Sequence, residues 1–144
     1  IMSKLAIVYW SGTGNTEAMA AAVADGARKA GAEVSLTTVS DFDPALLSSL
    51  DAVAFGCPAM GAEELEDGEF APVFSACEPS LNGKSIALFG SYGWGDGEWM
   101  RTWEDTCRAD GARLVCDSVI CNEAPDGDAV AACEALGAAL ANAG

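Results

Sequence analysis

Five short apolar runs alternate with segments of helical pattern from one end of this chain to the other. Near-continuous runs of Val, Ile, Leu and Phe are typical of strands that are buried on both faces of a parallel sheet. The predicted strands are Leu5–Trp10, Val34–Val39, Ala52–Gly56, Ile86–Gly90 and Leu114–Cys121. The alternation predicts an α/β fold, a doubly wound five-stranded parallel sheet with helices on both faces.

The segments between the strands predict the helices. They are Gly14–Ala30, roughly Gly68–Ala76, Gly97–Ala109 and a last helix from near Asp126 to the C-terminus, with a short helix or turn over Asp43–Leu50. Either Asp126 or Asp128 could cap the last helix. A length of 144 residues fits one domain, so we expect residues 1–144 to form a single domain.

Sheets of this kind bind ligands at the carboxyl ends of their strands, where the strand order reverses. The segment SGTGNT follows the first predicted strand, GCPAMGAEELEDGEF follows the third, and GSYGWGDGEWM follows the fourth. We expect these three loops to converge on one crevice.

The first loop carries polar side chains at Ser11, Thr13, Asn15 and Thr16 and contains no lysine or arginine. It lacks the Gly-Lys-Ser/Thr ending of a nucleoside triphosphate loop, and Glu17 stands where a dinucleotide fingerprint has its third glycine. Two interpretations remain open. The loop is either an anion site built from neutral donors at a helix N-terminus or a glycine-rich turn with Ser/Thr caps.

The other two loops carry aromatic, thioether and acidic side chains. Trp94 stands between two glycines, which favours ligand contact, whereas Trp99 and Trp103 are four residues apart on a helix, which favours the core. Met60 is either a core side chain or an apolar contact for a flat ring. The acidic run is either a solvated face or part of the site, and it comprises Glu63, Glu64, Glu66, Asp67 and Glu69.

Composition excludes several classes of protein. The chain has no histidine, and its six cysteines form no C-x-x-C pair, which disfavours zinc sites, ferredoxin clusters and His-dependent nucleophilic catalysis. With 22 acidic and 7 basic residues, the net charge of −15 disfavours nucleic acid and anionic membranes. No membrane span or secretory signal is predicted. We therefore expect a cytoplasmic protein with core thiols.

The segments SGTGNTE, GCPAMGAEELED and LFGSYGWGDGEWM together resemble the binding loops of short-chain, clostridial-type flavodoxins. The resemblance covers essentially the whole chain, and no insertion splits the predicted fifth strand, as in that class. It implies strand order 2-1-3-4-5 with FMN at the switch between strands one and three. It also implies a monomeric, low-potential one-electron carrier that cycles FMN among its quinone, semiquinone and hydroquinone forms and is not an enzyme.

The resemblance assigns the phosphate of FMN to Ser11, Gly12, Thr13, Gly14, Asn15 and Thr16. It assigns the flavin to Pro58, Ala59, Met60, Gly61, Ala62, Glu63, Ser91, Tyr92, Gly93, Trp94, Gly95 and Asn122. Met60 and Trp94 would cover the two faces of the ring, and Glu63 would accept the flavin N3–H. The segment Ser91–Gly93 and Asn122 would lie along the ring edge.

The resemblance also implies that the peptide joining Gly61 to Ala62 flips on reduction, so that the Gly61 carbonyl accepts the flavin N5–H. The flipped turn needs a positive φ at Ala62, and a left-handed alanine costs roughly 1–2 kcal/mol. A low second-electron potential would follow from an apolar ring pocket and from nearby acidic residues, namely Glu63, Glu64, Glu66, Asp67, Asp96 and Glu98.

Two other functions share this fold class. An FMN-dependent NAD(P)H or quinone reductase is the alternative, but the three loops offer no basic residue for a nicotinamide nucleotide's phosphates. A phospho-receiver domain is excluded, because Phe55 and Gly56 stand where its acceptor aspartate would be. For a carrier, the acidic residues near the ring would form an acidic rim that steers basic-surfaced redox enzymes, such as reductases and iron–sulfur oxidoreductases. The rate of this docking would fall steeply as salt concentration rises.

Overall fold

The computed structural model describes residues 3–143. Its strands are β1 (Lys4–Tyr9), β2 (Glu33–Thr38), β3 (Ala52–Gly56), β4 (Ser85–Tyr92), β5 (Arg113–Leu114) and β6 (Val119–Asn122). All pairings of these strands are parallel, in the order β2-β1-β3-β4-β5, and β6 also pairs with β4. The predicted fold class and strand order are confirmed.

The helices are α1 (Asn15–Lys29), α2 (Phe70–Cys77), α3 (Glu98–Ala109) and α4 (Gly127–Ala143), with a 3₁₀ turn over Pro44–Ser49. All four predicted helices are therefore confirmed, with small differences at their ends. Of the two candidate caps for α4, Asp126 is the one that accepts a backbone N–H, from Ala129 at 2.8 Å. The predicted end of this helix at Gly144 lies outside the described residues.

The prediction of one continuous fifth strand over Leu114–Cys121 is wrong. Leu114 pairs with Ile86 and Val119 pairs with Phe89, so four residues of this segment stand opposite two residues of β4. The two extra residues cannot follow the ladder, and the strand breaks into β5 and β6. Ser118, between the two strands, donates its hydroxyl to the Glu104 carboxylate at 2.6 Å.

Two apolar clusters cover the two faces of the sheet, because successive strand residues point to opposite sides. Ile7 of β1 belongs to the cluster under α1 and α4, and Val8 belongs to the cluster under α2 and α3. Trp99 and Trp103 are 1% and 2% exposed in the second cluster, as predicted. None of the described helices combines the length and apolar character needed to cross a membrane.

Candidate functional site

A cavity of about 210 Å³ lies where β1, β3 and β4 end, between the three loops that the sequence predicts to converge. Most of the predicted site residues line it. The lining residues are Trp10, Ser11, Gly12, Thr13, Asn15, Thr16, Pro58, Ala59, Met60, Ser91, Tyr92, Gly93 and Glu123. None of these residues is basic, so an anion bound here must rely on neutral donors.

The first loop leads directly into the N-terminus of α1. Gly14 precedes the helix with a φ of 96°, a left-handed conformation that a side chain would strain. The Ser11 hydroxyl accepts the backbone N–H groups of Gly14 at 3.1 Å and of Glu17 at 3.2 Å. These N–H groups lie at the positive end of the helix dipole, where a phosphate oxygen is also favoured.

Thr16 shows that this loop fits a phosphate group. The residue is 1% exposed, and its hydroxyl has no hydrogen-bond partner among the described residues. A buried hydroxyl without a partner costs roughly 1–3 kcal/mol, so the fold retains it at a cost. An anion in the adjoining cavity would accept a hydrogen bond from this hydroxyl, and the donors around it, from Ser11 to Thr16, are of the type that binds phosphate.

Met60 begins a tight hairpin that closes at Glu64. The N–H groups of these two residues donate to each other's carbonyls at 2.7 and 2.8 Å. The left-handed positions of the hairpin are Gly61, with a φ of 53°, and Glu63, with a φ of 55°. Ala62 does not have a positive φ here, so the strain expected at Ala62 would arise only in the flipped form of the loop.

Glu63 joins this hairpin to the fourth-strand loop. Its carboxylate accepts the Glu98 backbone N–H at 3.0 Å, at the N-terminus of α3. Gly95 leaves the space for that carboxylate, because a Cβ at Gly95 would lie 2.6 Å from it. Glu63 does not line the cavity described above, and its assignment to the flavin N3–H stays a prediction.

Other predicted residues lie next to the cavity without lining it. Trp94 is 65% exposed, and Met60, its proposed counterpart across the ring, is 38% exposed. Asn122 donates its side-chain amide to the Tyr92 carbonyl at 3.2 Å and lines a neighbouring cleft. Gly14, Gly61, Ala62 and Gly95 complete the loops that carry the lining residues, and their flavin contacts stay predictions.

The acidic run is more than a solvated face. The Glu66 carboxylate accepts the N–H groups of Gly68, Glu69 and Phe70 at 2.7–2.8 Å, where α2 begins. Burial alone would raise the pKa of Glu66, but these three donors outweigh it and lower the pKa below its usual value. The Glu69 carboxylate accepts the indole N–H of Trp10 at 3.0 Å.

Sequence reasoning missed two lining residues, Trp10 and Glu123. The apolar pattern predicts Trp10 as the end of the first strand, but its position directly before the polar loop is a signal that it borders the site. Glu123 directly follows the predicted residue Asn122. Its carbonyl accepts the Ser91 hydroxyl at 2.6 Å, and its N–H donates to Tyr92, contacts that require the pairing of β6 with β4.

The cysteines and acidic groups provide no second chemistry at the cavity. Cys57 is fully buried, and burial raises the pKa of its thiol to about 12, so the thiol stays protonated and packs as an apolar group. Within residues 3–143, no three or more Cys, Asp or Glu side chains are grouped to hold a metal ion.

Known proteins match this arrangement over nearly the whole chain. A model of the flavodoxin family matches residues 7–137. The flavodoxin of Megasphaera elsdenii is 46% identical over 95% of this chain and 98% of its own length, and that of Clostridium beijerinckii is 44% identical over 94% and 98%. The solution structure of two-electron-reduced M. elsdenii flavodoxin superposes with a TM-score of 0.88, covering 96% of this chain and 98% of that one. The chain therefore belongs to the flavodoxin family, the FMN-binding electron-transfer proteins that serve partner oxidoreductases and are not themselves enzymes.

Proposed function

We propose that this chain is a low-potential one-electron carrier that holds FMN with its phosphate in the Ser11–Thr16 loop. The buried hydroxyl of Thr16, which has no hydrogen-bond partner within residues 3–143, is the observation that carries the proposal. The hydroxyls of Ser11 and Thr13, the Asn15 amide and the N-terminus of α1 supply the other donors. When bound, FMN supplies the electron chemistry, because it accepts and releases electrons one at a time.

The remaining loops orient the ring and limit its contact with water. Met60 covers one face and Trp94 the other, while the segment Ser91–Gly93 contacts the edge. Met60 and Trp94 are among the few exposed large apolar side chains of the described chain, and burying them against the ring would remove apolar surface from water. Glu63, fixed at the N-terminus of α3, accepts the N3–H with its remaining lone pairs.

The potential depends on how the carboxylates near the site are arranged. Glu63 and Glu66 direct their oxygens at backbone N–H groups, and Asp96 pairs with Arg101 at 3.0 Å. These contacts reduce the field that each carboxylate exerts, so the apolar ring pocket contributes a larger share of the low second-electron potential than a count of acidic residues indicates. The phosphate loop contains no lysine, and this also keeps the second-electron potential low.

Reconstitution tests the cofactor and its role. Protein freed of flavin and titrated with FMN should bind one equivalent, with quenching of FMN fluorescence. Stepwise reduction should then resolve two one-electron potentials, of which the second is the lower. Failure to bind FMN would refute the proposal. Steady oxidation of NADPH by the reconstituted protein alone would favour the reductase alternative instead.

We also propose that partners dock on the acidic rim around the cavity through basic surfaces. Among the residues that line the cavity and the groove behind the Met60 hairpin, carboxylates are present and basic side chains are not. Arg101 lies nearby but is paired with Asp96. Opposite charges speed association, and salt screens them.

Cytochrome c, a basic one-electron acceptor, serves as the docking probe. Its rate of reduction by the reduced protein should fall steeply as ionic strength rises, and Glu64→Lys should slow it. Glu33→Lys is the matched control, because Glu33 stands opposite Lys4 in the β1–β2 register, at the end of the sheet away from the cavity. Equal effects of the two substitutions would show that only net charge matters and would refute docking at the rim.

We further propose a single-domain, monomeric, cytoplasmic protein. All six cysteines are free, which fits a reducing compartment. Two apolar clusters flank one sheet, as in a single domain. Of the large apolar side chains that are exposed, Met60 and Trp94 belong to the proposed flavin site. Sedimentation of the FMN-bound protein at the mass of one chain would support the monomer.

A further inference from the structure

A hydrogen bond joins the phosphate loop to the start of α2, across 59 residues of chain. The indole N–H of Trp10 donates to the Glu69 carboxylate at 3.0 Å. Trp10 directly precedes Ser11 and lines the cavity together with the loop and Met60. This contact links two of the three loops that form the site.

The ring of Trp10 also lies against the loop itself. A Cβ added at Gly12 would lie 3.0 Å from Cη2 of Trp10 and 3.2 Å from Cζ3. The six-membered ring therefore packs against the backbone at Gly12, closer than a side chain there would allow. A movement of this ring would therefore be felt by the loop backbone at Gly12.

The acceptor of this hydrogen bond is fixed from the other side. The Glu69 backbone N–H donates to Glu66 at 2.8 Å, and Glu66 also accepts the N–H groups of Gly68 and Phe70. Phe70 begins α2 and is fully buried in the core. Glu69 therefore extends from an anchored helix N-terminus, and its side chain orients Trp10 from a fixed point.

Trp10 separates the phosphate loop from the Met60 hairpin. Besides the main cavity, it lines a cleft of about 250 Å³ with Met60 and Gly61, and another of about 180 Å³ with Glu17 and Glu69. The ring is half-buried and packs against the apolar cluster under α2 and α3, while clefts lie on its other sides. The Glu69 carboxylate fixes the direction of the indole N–H within that packing, and losing it would allow the ring to shift relative to the loop.

We propose that Trp10 is a positioning residue, held by Glu69, that keeps the Ser11–Thr16 loop in the conformation that receives the phosphate of FMN. The proposal rests on the proposed FMN function and adds an element that lies outside the phosphate loop. The binding of FMN should therefore depend on the Trp10–Glu69 contact, and the binding of a flavin without a phosphate should not.

The test compares FMN with riboflavin, which lacks the phosphate, on flavin-free protein. A hydrogen bond of this kind contributes about 0.5–1.5 kcal/mol, so Glu69→Ala should weaken FMN binding by about 2- to 12-fold. Riboflavin binding should be unchanged. Glu69→Gln should restore FMN binding, because its amide oxygen accepts the indole N–H while the charge is lost. Glu33→Ala, which removes a carboxylate at the opposite end of the sheet, should not weaken FMN binding.

Trp10→Phe tests the donor side. It keeps an aromatic ring and removes the N–H, so it should weaken FMN binding, and adding Glu69→Ala to it should cause little further loss. Additive losses would overturn the proposal, as would unchanged FMN affinity in Glu69→Ala or equal losses for FMN and riboflavin. Failure of the unmodified protein to bind FMN would refute the proposed function and is distinguishable from these results.

Discussion

Thr16→Val should change the flavin-free and FMN-bound proteins in opposite directions. Valine has nearly the shape of threonine, so packing around the 1%-exposed site is kept and only the hydroxyl is lost. In the flavin-free protein that hydroxyl has no partner among the described residues. Removing a buried, unsatisfied polar group stabilises a fold, and we expect a gain of about 1 kcal/mol. For a chain of this length that gain corresponds to a rise in Tm of roughly 2–4 °C.

In the FMN-bound protein the same substitution should be destabilising. There the hydroxyl donates to a charged phosphate oxygen, and losing that bond costs about 1 kcal/mol or more. The two effects add in a thermodynamic cycle, because binding measures the difference between the two states. FMN affinity should therefore fall by about 2 kcal/mol, which is roughly 30-fold.

Two measurements and two further variants complete the experiment. Thermal unfolding of the flavin-free protein gives the first effect, and fluorescence titration with FMN gives the second. Thr13→Val should weaken FMN binding without stabilising the flavin-free protein, because Thr13 is exposed and its hydroxyl reaches water. Thr16→Ser should keep the affinity. If flavin-free Thr16→Val were less stable than the unmodified protein, the hydroxyl would already have a partner, and the inference from its burial would be refuted.

Three further predictions concern pH, the hairpin and the fourth-strand loop. Burial and the neighbouring Asp110 raise the pKa of Glu78 from 4.5 to about 7. The folded state therefore binds more protons than the unfolded state, and its free energy of unfolding should fall as pH rises from about 4.5 to 7. Urea unfolding across this range should show the fall, and Glu78→Gln should remove it. Ala62→Gly should raise the first-electron potential by roughly 40–90 mV in a redox titration, because glycine removes the cost of about 1–2 kcal/mol of a left-handed alanine in the flipped hairpin, and a fall would contradict that account. Gly95→Ala should weaken FMN binding, because its φ of 86° and the Glu63 carboxylate 2.6 Å from the new Cβ both oppose a side chain; unchanged affinity would show that Glu63 need not occupy this position.

The fold could be predicted from the sequence because its signals are local. Buried strands have apolar runs, and the spacing of Trp99 and Trp103 placed both in the core. The break between β5 and β6 depends on two residues in excess of those on β4, a relation between strands that are distant in sequence. The polar pair Asp117-Ser118 inside an apolar run was the one local sign of it.

That the three loops meet at one cavity was also predictable, because each loop follows a strand that ends at the same edge of the sheet. The glycines and hydroxyls that surround Thr16 fit either an anion site or a capped turn at a helix N-terminus, and the buried hydroxyl of Thr16 favours the anion site. The partners of Glu63, Glu66 and Glu69 are N–H groups that folding brings to them, and Glu69 meets Trp10 across 59 residues. A run of carboxylates has the same pattern in sequence whether it is solvated or bonded, so only the structure separates the two.

The arrangement of these carboxylates explains how so acidic a chain can accommodate an anionic cofactor. Each carboxylate that accepts backbone N–H groups near the cavity, as Glu63 and Glu66 do, has part of its field cancelled by the dipoles that it bonds. In the proposed site, neutral donors and the N-terminus of α1 would bind the phosphate without a cation. A lysine in that loop would strengthen binding, but it would also stabilise negative charge on the reduced ring and raise the second-electron potential. In the proposed site, neutral donors for the phosphate and bonded carboxylates near the ring would thus permit tight binding together with a low potential.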